Sequence, residues 1–523
     1  MVDVDSLTHN DAREVGAEWM CLQAIEQLNI APFLESLNWD EQQIQLAITQ
    51  IISRAICPHS ELRTSRWIKE NSAVCELTGY PIDKITKDKL YKSALDLFRI
   101  KGPLEHFLSS KTNELFDLQD RIILYDLTNT YFEGAKRGSS LAQHAKNKSK
   151  EKRDDAKLIV LALVVNVEGF IKFSSVFEGK KSDSASLGDI VDNIRGHTSA
   201  GSRAIVVLDA GIATEDNLML LEQKGYDYVC VCRAKIKDYT IAADSAVQNI
   251  KSKAGETITL ERVVCGAITD YLLKVHSTGK LKKERSMKTS FEERFMEQVQ
   301  KARSALATKG GIKRKDKVER RIGRIIEKYP STAKHFVIQV VTDGEIATGI
   351  TLLKKNSHTL HEEHLGTYFI RTNLDIEDQQ SLWDIYNTIR EIESSFRCLK
   401  TDLDLRPIYH KNDDAAIAHV HLGLLAYWLV NTIRYQLRKK KITYCWKEIL
   451  RITNTQKVIT TSGQITFDEI ITVRRCSQPQ ANVKEIYQAL GYRNYPFVKR
   501  KSVVHKPVLK KNQDTVLQRV DDS

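Results

Sequence analysis

Two aspartates lie at positions where a carboxylate needs an explanation. Asp126 lies within YDLTNTYFEG, a β-branched and aromatic stretch that indicates a strand, directly after an apolar run. A carboxylate in a strand that enters a core is costly unless a cation or a hydrogen-bond donor compensates it. Asp209 ends the apolar run of RAIVVLD, at the carboxyl end of a predicted buried strand, where ligands bind in α/β sheets. Each aspartate alone is also compatible with a structural hydrogen bond, a helix cap or a turn.

The segment YNTIREIESSFRCLK combines one acid with several cations. Steps of four and three residues place five side chains on one stripe of a helix, and these are Tyr386, Arg390, Glu393, Arg397 and Lys400. A second, apolar stripe faces the predicted core, and its residues are Ile385, Ile389, Ile392, Phe396, Leu399 and Leu403. A salt-bridged surface face is the alternative interpretation. One acid among three bases and a tyrosine favours a carboxylate ligand beside phosphate-binding cations.

Asp126, Asp209 and Glu393 could together hold two divalent cations about 3.5–4 Å apart. Their hard oxygen ligands favour Mg²⁺ or Mn²⁺. One ion would activate a water or a 3′-hydroxyl, and the other would stabilise the leaving oxygen. The hypothesis is that a metal, rather than a core hydrogen bond, compensates Asp126. His419 and His421 are two residues apart on a predicted helix and point to different faces, so we interpret them, with His144, as structural.

The charge of the chain predicts a polyanionic partner. The net charge is +12 and the pI about 9.0. The segment from Lys280 to Lys328 carries 17 Lys+Arg and 7 Asp+Glu, a net of +10. Such an imbalance favours phosphate contact, with Lys313, Arg314 and Lys315 as candidate ligands. The alternative is the solvated face of a charged helix.

Other functional classes are disfavoured by the sequence. The longest apolar run, LIVLALVVNV, is half of the ~20 residues that span a bilayer. The first residues lack the basic and then apolar pattern of a signal peptide. The nine cysteines are scattered, and the close pair Cys230 and Cys232 does not have zinc spacing, so we expect reduced thiols in a cytoplasmic protein.

At 523 residues the chain should contain two to four domains. Three predicted strands followed by strand–helix–strand indicate an α/β fold with a mixed sheet flanked by helices. Long helices are predicted at about 378–403 and 415–437, and a flexible basic arm from about 498. We predict five segments: an all-α domain with basic faces at 1–118, α/β segments at 119–234 and 366–440 on either side of a β-rich basic insertion at 235–365, and a C-terminal helical region with a basic tail at 441–523.

Several stretches between about 120 and 435 resemble a DDE-type insertion-sequence transposase, in the branch with a β-rich insertion and a Tyr-Arg-Glu-Lys helix signature. The stretches are YDLTNTYFEG, KSKEKRDDAKLIVLALVVNVEGFI, VVLDAGIATEDNL, TYFIRTNL, IESSFRCLKTDLDLRPIYH and AHVHLGLLAYWL, and the N-terminal ISRAICPHSELRTSRWI is also similar. The resemblance implies an RNase H-like core whose three acids fall on Asp126, Asp209 and Glu393. The signature tyrosine, arginine and lysine fall on Tyr386, Arg390 and Lys400. The commonest form has two residues between Tyr and Arg and three between Arg and Glu, whereas here these numbers are three and two.

By this resemblance the protein binds terminal inverted repeats with its helical domain and insertion, cleaves DNA at the ends with Mg²⁺ or Mn²⁺, and joins the freed 3′-hydroxyl to target DNA. The active complex would be at least a homodimer on double-stranded DNA, cytoplasmic and nucleoid-associated. The insertion has no tryptophan to stack on a flipped base. Relatives often carry a segment before the helical domain, so the copy is expected to be N-terminally shortened. The alternatives are a metal-dependent nuclease on the same fold and a catalytically impaired DNA-binding relative.

Overall fold

The computed structural model describes residues 2–144, 155–182, 185–197, 204–233, 236–243, 245–252, 254–355, 365–466, 469–496 and 500–505. The chain divides into two compact units, of which the first comprises 1–204 with 388–523 and the second comprises 205–387. Both units combine helices with sheets, so the predicted α/β class is confirmed. The five predicted domain boundaries stay predictions.

The first unit begins with a strand, β1 (Thr8–Glu14), followed by seven helices. These are α1 (Gly16–Gln27), α2 (Ile30–Ser36), α3 (Glu41–Ile56), α4 (Glu61–Glu70), α5 (Val74–Thr78), α6 (Lys87–Arg99) and α7 (Lys101–Phe116). The helical prediction for this region is therefore confirmed from Gly16 onward and wrong for β1. The sequence of β1 lacks the alternation of apolar and polar residues that would indicate a strand. The strand is held by backbone pairing with a strand more than 440 residues later in the chain, which a local pattern does not report.

Three antiparallel strands follow: β2 (Ile122–Tyr131), β3 (Leu158–Asn166) and β4 (Ile171–Glu178). Strand β3 lies between the other two and is buried at every position, which explains why its sequence is an unbroken apolar run. This run is the segment LIVLALVVN, so its hydrophobicity serves the core of the sheet. Helix α7 packs on β4, and α8 (Gly188–His197) completes this part of the unit.

The second unit opens with the parallel pair β5 (Ile205–Leu208) and β6 (Asp227–Val231), joined through α9 (Glu215–Gln223). The rest of its sheet comes from β7 (Thr240–Ile241), β8 (Gln248–Lys251), β9 (Thr257–Cys265), β10 (Ile268–Ser277) and β13 (Thr367–Thr372). The strand order is β5-β6-β13-β10-β9-β7, with β8 also paired to β9. Helix α13 (Gln379–Asn387) ends the unit.

The basic segment of this unit is helical. It forms α10 (Thr278–Ala307) and α11 (Lys315–Lys328), followed by the short α12 (Pro330–Ala333). The hairpin of β11 (Phe336–Asp343) and β12 (Ile346–Lys354) packs with these helices around a core that includes Phe295, Ile322 and Ile350. The segment predicted as β-rich therefore contains two long helices between its strands.

The first unit resumes with α14 (Ile389–Arg397), a π-helical segment at Cys398–Asp402, α15 (Asp413–Lys439) and α16 (Trp446–Thr453). It ends with β14 (Lys457–Thr466), β15 (Glu469–Cys476), α17 (Ala481–Leu490) and β16 (Arg500–His505). A four-stranded sheet has the order β1-β14-β15-β16. The predicted flexible arm is wrong for Arg500 and Lys501, whose backbone pairs with β15. Lys499, Lys506, Lys510 and Lys511 lie outside the described residues.

Helix α15 forms the centre of the first unit. Helices α1, α3 and α6 pack against it, and most of its side chains are buried all round. Among the residues that the structure describes, it is the one helix long and apolar enough to cross a membrane, and 94% of its apolar window is buried inside the protein. Core helices share these properties, so the helix is weak evidence for a membrane span.

Candidate active site

Asp126 lies in the middle of β2, opposite Leu163 of β3, as the sequence predicts. Its side chain is half-buried, whereas its neighbours Tyr125 and Leu127 are buried. One carboxylate oxygen, Oδ1, accepts a hydrogen bond from the backbone N–H of Leu127 at 2.7 Å. The strand therefore presents this carboxylate at the partly open face of a buried sheet.

The start of β2 is fixed by a buried ion pair. Asp120 Oδ1 lies 3.0 Å from Lys172 Nζ, and both side chains are fully buried. Lys172 Nζ also donates to Asn113 Oδ1 at 2.6 Å, which links the end of α7 to β4. Burial lowers the pKa of Lys172, and the adjacent Asp120 opposes that effect. These contacts position the strand that carries Asp126.

Helix α14 presents one acid and two arginines to solvent. Arg390, Glu393 and Arg397 are exposed, and no other residue of α14 is exposed to that degree. The predicted apolar stripe is confirmed at Ile389 and Phe396, which are buried on the face of the helix that points to the core. In the described part of the chain, no ion pair within 4.0 Å joins Glu393 to either arginine. The alternative of a salt-bridged surface face is therefore not what this helix forms.

Helix α14 packs against β2, which brings the elements of Asp126 and Glu393 together within the first unit. Ser395 fixes the helix from its buried side, because its hydroxyl lies 2.7 Å from the hydroxyl of Tyr427 on α15. The Tyr427 hydroxyl also lies 2.7 Å from the carbonyl oxygen of Gly169, in the turn between β3 and β4. Glu391, on the same helix, forms an ion pair of 3.2 Å with Arg438.

Asp209 lies in the second unit, directly after β5, and its side chain is exposed. Its backbone carbonyl accepts hydrogen bonds from the N–H groups of Ile212 and Ala213, which form the turn into α9. The hydroxyl of Thr214 caps α9 by accepting from the N–H of Asn217. The aspartate therefore lies at the carboxyl end of a buried strand, where the sequence places it.

The predicted continuous helix at 378–403 is wrong in its details. The turn residue Thr388 separates α13 from α14, and the α-helix changes to a π-helix at Cys398. Lys400 lies in that π-helical segment and is half-buried, so α-helical spacing does not place it on the stripe of Arg390 and Arg397. Tyr386 belongs to α13 in the second unit, where its ring is tilted against that of Tyr368 at 6.2 Å.

The candidate phosphate ligands of the insertion lie at the start of α11. Lys313 and Arg314 are exposed and Lys315 is half-buried. Arg314 forms a bidentate ion pair with Asp316, with Nε–Oδ1 at 2.9 Å and Nη2–Oδ2 at 3.1 Å. Solvent screening makes an exposed pair of this kind weak, so a phosphate could displace it.

A comparison with protein-family models matches residues 117–429 to the transposase DDE domain. The chain belongs to this transposase family. The matched region runs from just before β2 to the middle of α15 and includes Asp126, Asp209 and Glu393. A comparison with curated proteins found no match. Membership of the family identifies a DNA-processing protein of the DDE transposase type.

The residues of the DDE domain fit the divalent metal ions that the family generally uses. Asp126, Asp209 and Glu393 offer carboxylate oxygens, which are the ligands that Mg²⁺ and Mn²⁺ prefer. Asp209 and Glu393 are exposed, so water and ions reach them. The donor set therefore fits a hard divalent cation.

Sequence reasoning missed one cluster in this transposase. Glu61, His410 and His419 each offer a ligand atom, and these atoms lie within 4.8 Å of one another. His419 and His421 do point to different faces of α15, as predicted, because His421 packs edge-on against Phe98. The interpretation of His419 as structural did not include its two partners, which lie nine and 358 residues away in the chain.

Proposed function

We propose that this protein is a DDE transposase that binds the terminal inverted repeats of its insertion sequence, cleaves the DNA at the ends and transfers the freed 3′-hydroxyl to a target strand. The family match supports transposition as the general activity. The observation that carries the finer proposal is the solvent face of α14. Glu393 is exposed between Arg390 and Arg397 and, within the described residues, forms an ion pair with neither. The carboxylate is therefore available to a cation and the two guanidinium groups to an anion.

The proposed metal ligands are Asp126, Asp209 and Glu393, with Mg²⁺ or Mn²⁺ as the ions. When bound, such ions supply Lewis-acid stabilisation of the phosphodiester and a more acidic water or hydroxyl. The chain itself holds the carboxylates on rigid elements, since Asp126 is part of a buried sheet and Glu393 is fixed through Ser395 and Tyr427. Rigid placement matters because phosphoryl-transfer enzymes act mainly by positioning and charge stabilisation.

The proposed phosphate contacts come from two places. Arg390 and Arg397 would bind phosphates beside the cleaved bond, together with Lys400 and the hydroxyl of Tyr386. Lys313, Arg314 and Lys315 would bind the DNA backbone farther from the chemistry, because the basic segment carries most of the net charge of the chain. Pairing two ends for transfer requires at least a homodimer on DNA.

A strand-transfer assay tests the proposal against a nuclease of the same fold. The substrate is a labelled duplex of the element's own terminus with a recessed 3′-hydroxyl, incubated with Mg²⁺ and a supercoiled target plasmid. We expect covalent joining of label to plasmid, and loss of joining when the terminus ends in a 3′-dideoxynucleotide. Plasmid nicking without joining, or cleavage of any branched DNA without preference for the terminus, would contradict the proposal.

A further inference from the structure

The first unit contains a cavity of about 620 Å³ whose lining includes none of the three acids of the proposed active site. Helix α3, the start of α4, α6 and the segment 404–419 line it. Its charged and aromatic lining includes Arg54, Glu61, Tyr91, His410 and His419. Tyr409 also lines the cavity, and its side chain is exposed to solvent.

Three potential metal ligands lie close together in the lining of this cavity. Glu61 Oε1 lies 3.6 Å from His410 Nε2 and 4.0 Å from His419 Nδ1. Ligand atoms of a tetrahedral zinc site with bonds of about 2.0–2.1 Å lie about 3.3–3.4 Å apart. Glu61 is therefore within about 0.7 Å of the tetrahedral separation from both histidines. Because the three ligand atoms lie within 4.8 Å of one another, bringing the whole set onto one ion requires side-chain movements of up to about 1.5 Å. The distances are too long for good hydrogen bonds, so the three side chains do not satisfy one another.

Within the described part of the chain, one atom of each of two ligand side chains is buried without a hydrogen-bond partner, and these atoms are Glu61 Oε2 and His419 Nδ1. The Glu61 carboxylate also accepts a hydrogen bond from the hydroxyl of Tyr91, and His419 Nε2 lies beside Arg54. Buried polar atoms in native proteins nearly always have a partner, and an exception calls for an explanation such as an ion.

We propose that Glu61, His410 and His419 bind one divalent transition-metal ion of the zinc class, with the fourth ligand position open to the cavity. Two imidazoles and one carboxylate with an open position form a donor set that zinc uses in proteins. This cluster should prefer a different metal ion from the three carboxylates of the proposed active site, because imidazole nitrogen favours Zn²⁺ over Mg²⁺. The site links the start of α4 to α15 through the segment that carries His410, so a bound ion would stabilise the helical domain on α15.

Arg54 opposes the ion. Its Nη2 lies 3.3 Å from His419 Nε2, on the opposite side of the ring from Glu61, and it also donates to the carbonyl oxygens of His59 and Asp404. A metal on Nδ1 leaves the hydrogen on Nε2, which then faces the guanidinium. Arg54 keeps its two carbonyl acceptors when it turns from the imidazole, but its charge remains close to the ion. We therefore expect weaker binding than at a zinc site of four protein ligands.

The test uses the untagged full-length protein after removal of metals by a chelator, titrated with Co²⁺ at pH 7.5 and then with Zn²⁺. Cobalt reports tetrahedral coordination through strong visible absorption, independently of DNA cleavage. We expect one Co²⁺ per chain, displacement by Zn²⁺, and a rise in the midpoint of thermal unfolding on Zn²⁺ binding. His410→Gln and Glu61→Gln should each abolish the absorption, while circular dichroism shows that they remain folded.

Matched variants separate this site from its surroundings. His421→Gln, on the same helix as His419 but on a different face and outside the cluster, should keep the cobalt absorption. Asp209→Asn should also keep it, so failure of the zinc-class site is distinguishable from failure of the proposed catalytic site. Arg54→Met should tighten Co²⁺ binding tenfold or more, since it removes a nearby cation. The proposal is overturned by absence of cobalt absorption in the wild type, by equal absorption in His410→Gln, or by unchanged or weaker binding in Arg54→Met.

Discussion

The hydroxyl of Tyr427 lies 2.7 Å from the hydroxyl of Ser395, and this contact attaches the helix that carries Glu393 to the central helix α15. Tyr427 also lies 2.7 Å from the carbonyl oxygen of Gly169, at the turn between β3 and β4. Since a phenol has one hydrogen, it donates to one of these oxygens at a time, and the Ser395 hydroxyl can donate to Glu391 O at 2.9 Å or to the phenol. Three elements of the first unit, namely α14, α15 and the turn between β3 and β4, thus meet at one buried oxygen.

Tyr427→Phe should lower the free energy of unfolding by about 1–2 kcal/mol, because it leaves buried oxygens without a partner. We expect the rate of DNA cleavage to fall more than the affinity for DNA ends, since the change loosens the position of Glu393 rather than a DNA contact. Chemical denaturation and single-turnover cleavage measure the two effects. Tyr435→Phe is the matched control on the same helix, because its hydroxyl has no hydrogen bond among the described residues. Equal effects of the two variants would refute the role of the Tyr427 hydroxyl.

Glu393→Gln should reduce Mg²⁺-dependent cleavage by about a thousandfold while DNA binding stays within twofold, since only the proposed metal ligand is lost. Glu391→Gln on the same helix removes a carboxylate that pairs with Arg438, and it should change cleavage little. Gel-shift and cleavage assays on the same duplex provide both numbers. Asp126→Asn should behave like Glu393→Gln. If Glu391→Gln were as inactive as Glu393→Gln, the assignment of the third acid would fail.

Much of this arrangement follows from residue types. The acid inside YDLTNTYFEG indicated a strand with a compensated carboxylate, and the spacing around Glu393 predicted the exposed face of α14. Thr388 and the π-helical segment with Lys400 could not be predicted, because each depends on the backbone hydrogen bonds of a folded helix rather than on side-chain period. Strand β1 and the Glu61 cluster depend on partners hundreds of residues away, which periodicity does not report.

The double variant Lys313→Gln with Lys315→Gln should weaken DNA binding and make it less sensitive to salt. Each lost phosphate contact lowers the slope of log affinity against log salt by roughly 0.9. Fluorescence anisotropy across a salt series measures the slope. Lys301→Gln is the control, since Lys301 lies in the same basic segment but pairs with Glu297 at 2.6 Å. A slope unchanged in the double variant would indicate the solvated helix face that was the alternative interpretation.

Glu18 on α1 predicts how stability depends on pH. Burial raises the pKa of this carboxyl from 4.5 to about 7, although the hydroxyl of Ser72 donates to it and opposes the shift. Between pH 4.5 and 7 the folded state binds more protons than the unfolded state, so stability falls as pH rises through that window. The cost of ionising Glu18 is complete above pH 7 and is on the order of 3 kcal/mol.

Glu18→Gln should therefore raise the midpoint of thermal unfolding at pH 8 and leave it nearly unchanged at pH 4.5, because the amide still accepts from Ser72 and carries no charge. Calorimetry at several pH values tests this. Glu26→Gln, at an exposed position of the same helix, should not change the pH dependence. The account predicts that the wild type loses stability relative to Glu18→Gln as the pH rises from 5 to 7. A wild type that gains stability relative to Glu18→Gln over this range would contradict the predicted direction.

The central claim is that metal-dependent DNA cleavage at the element boundary depends on the three acids. The direct measurement incubates the purified protein with Mg²⁺ and a labelled duplex that carries the gene's own flanking DNA, beside Asp209→Asn and the control Asp216→Asn, an exposed aspartate of α9. We predict cleavage at the boundary by the wild type and the control, and end-specific binding without cleavage by Asp209→Asn. Cleavage retained in Asp209→Asn, or loss of binding together with cleavage, would contradict the assignment of Asp209 as a metal ligand.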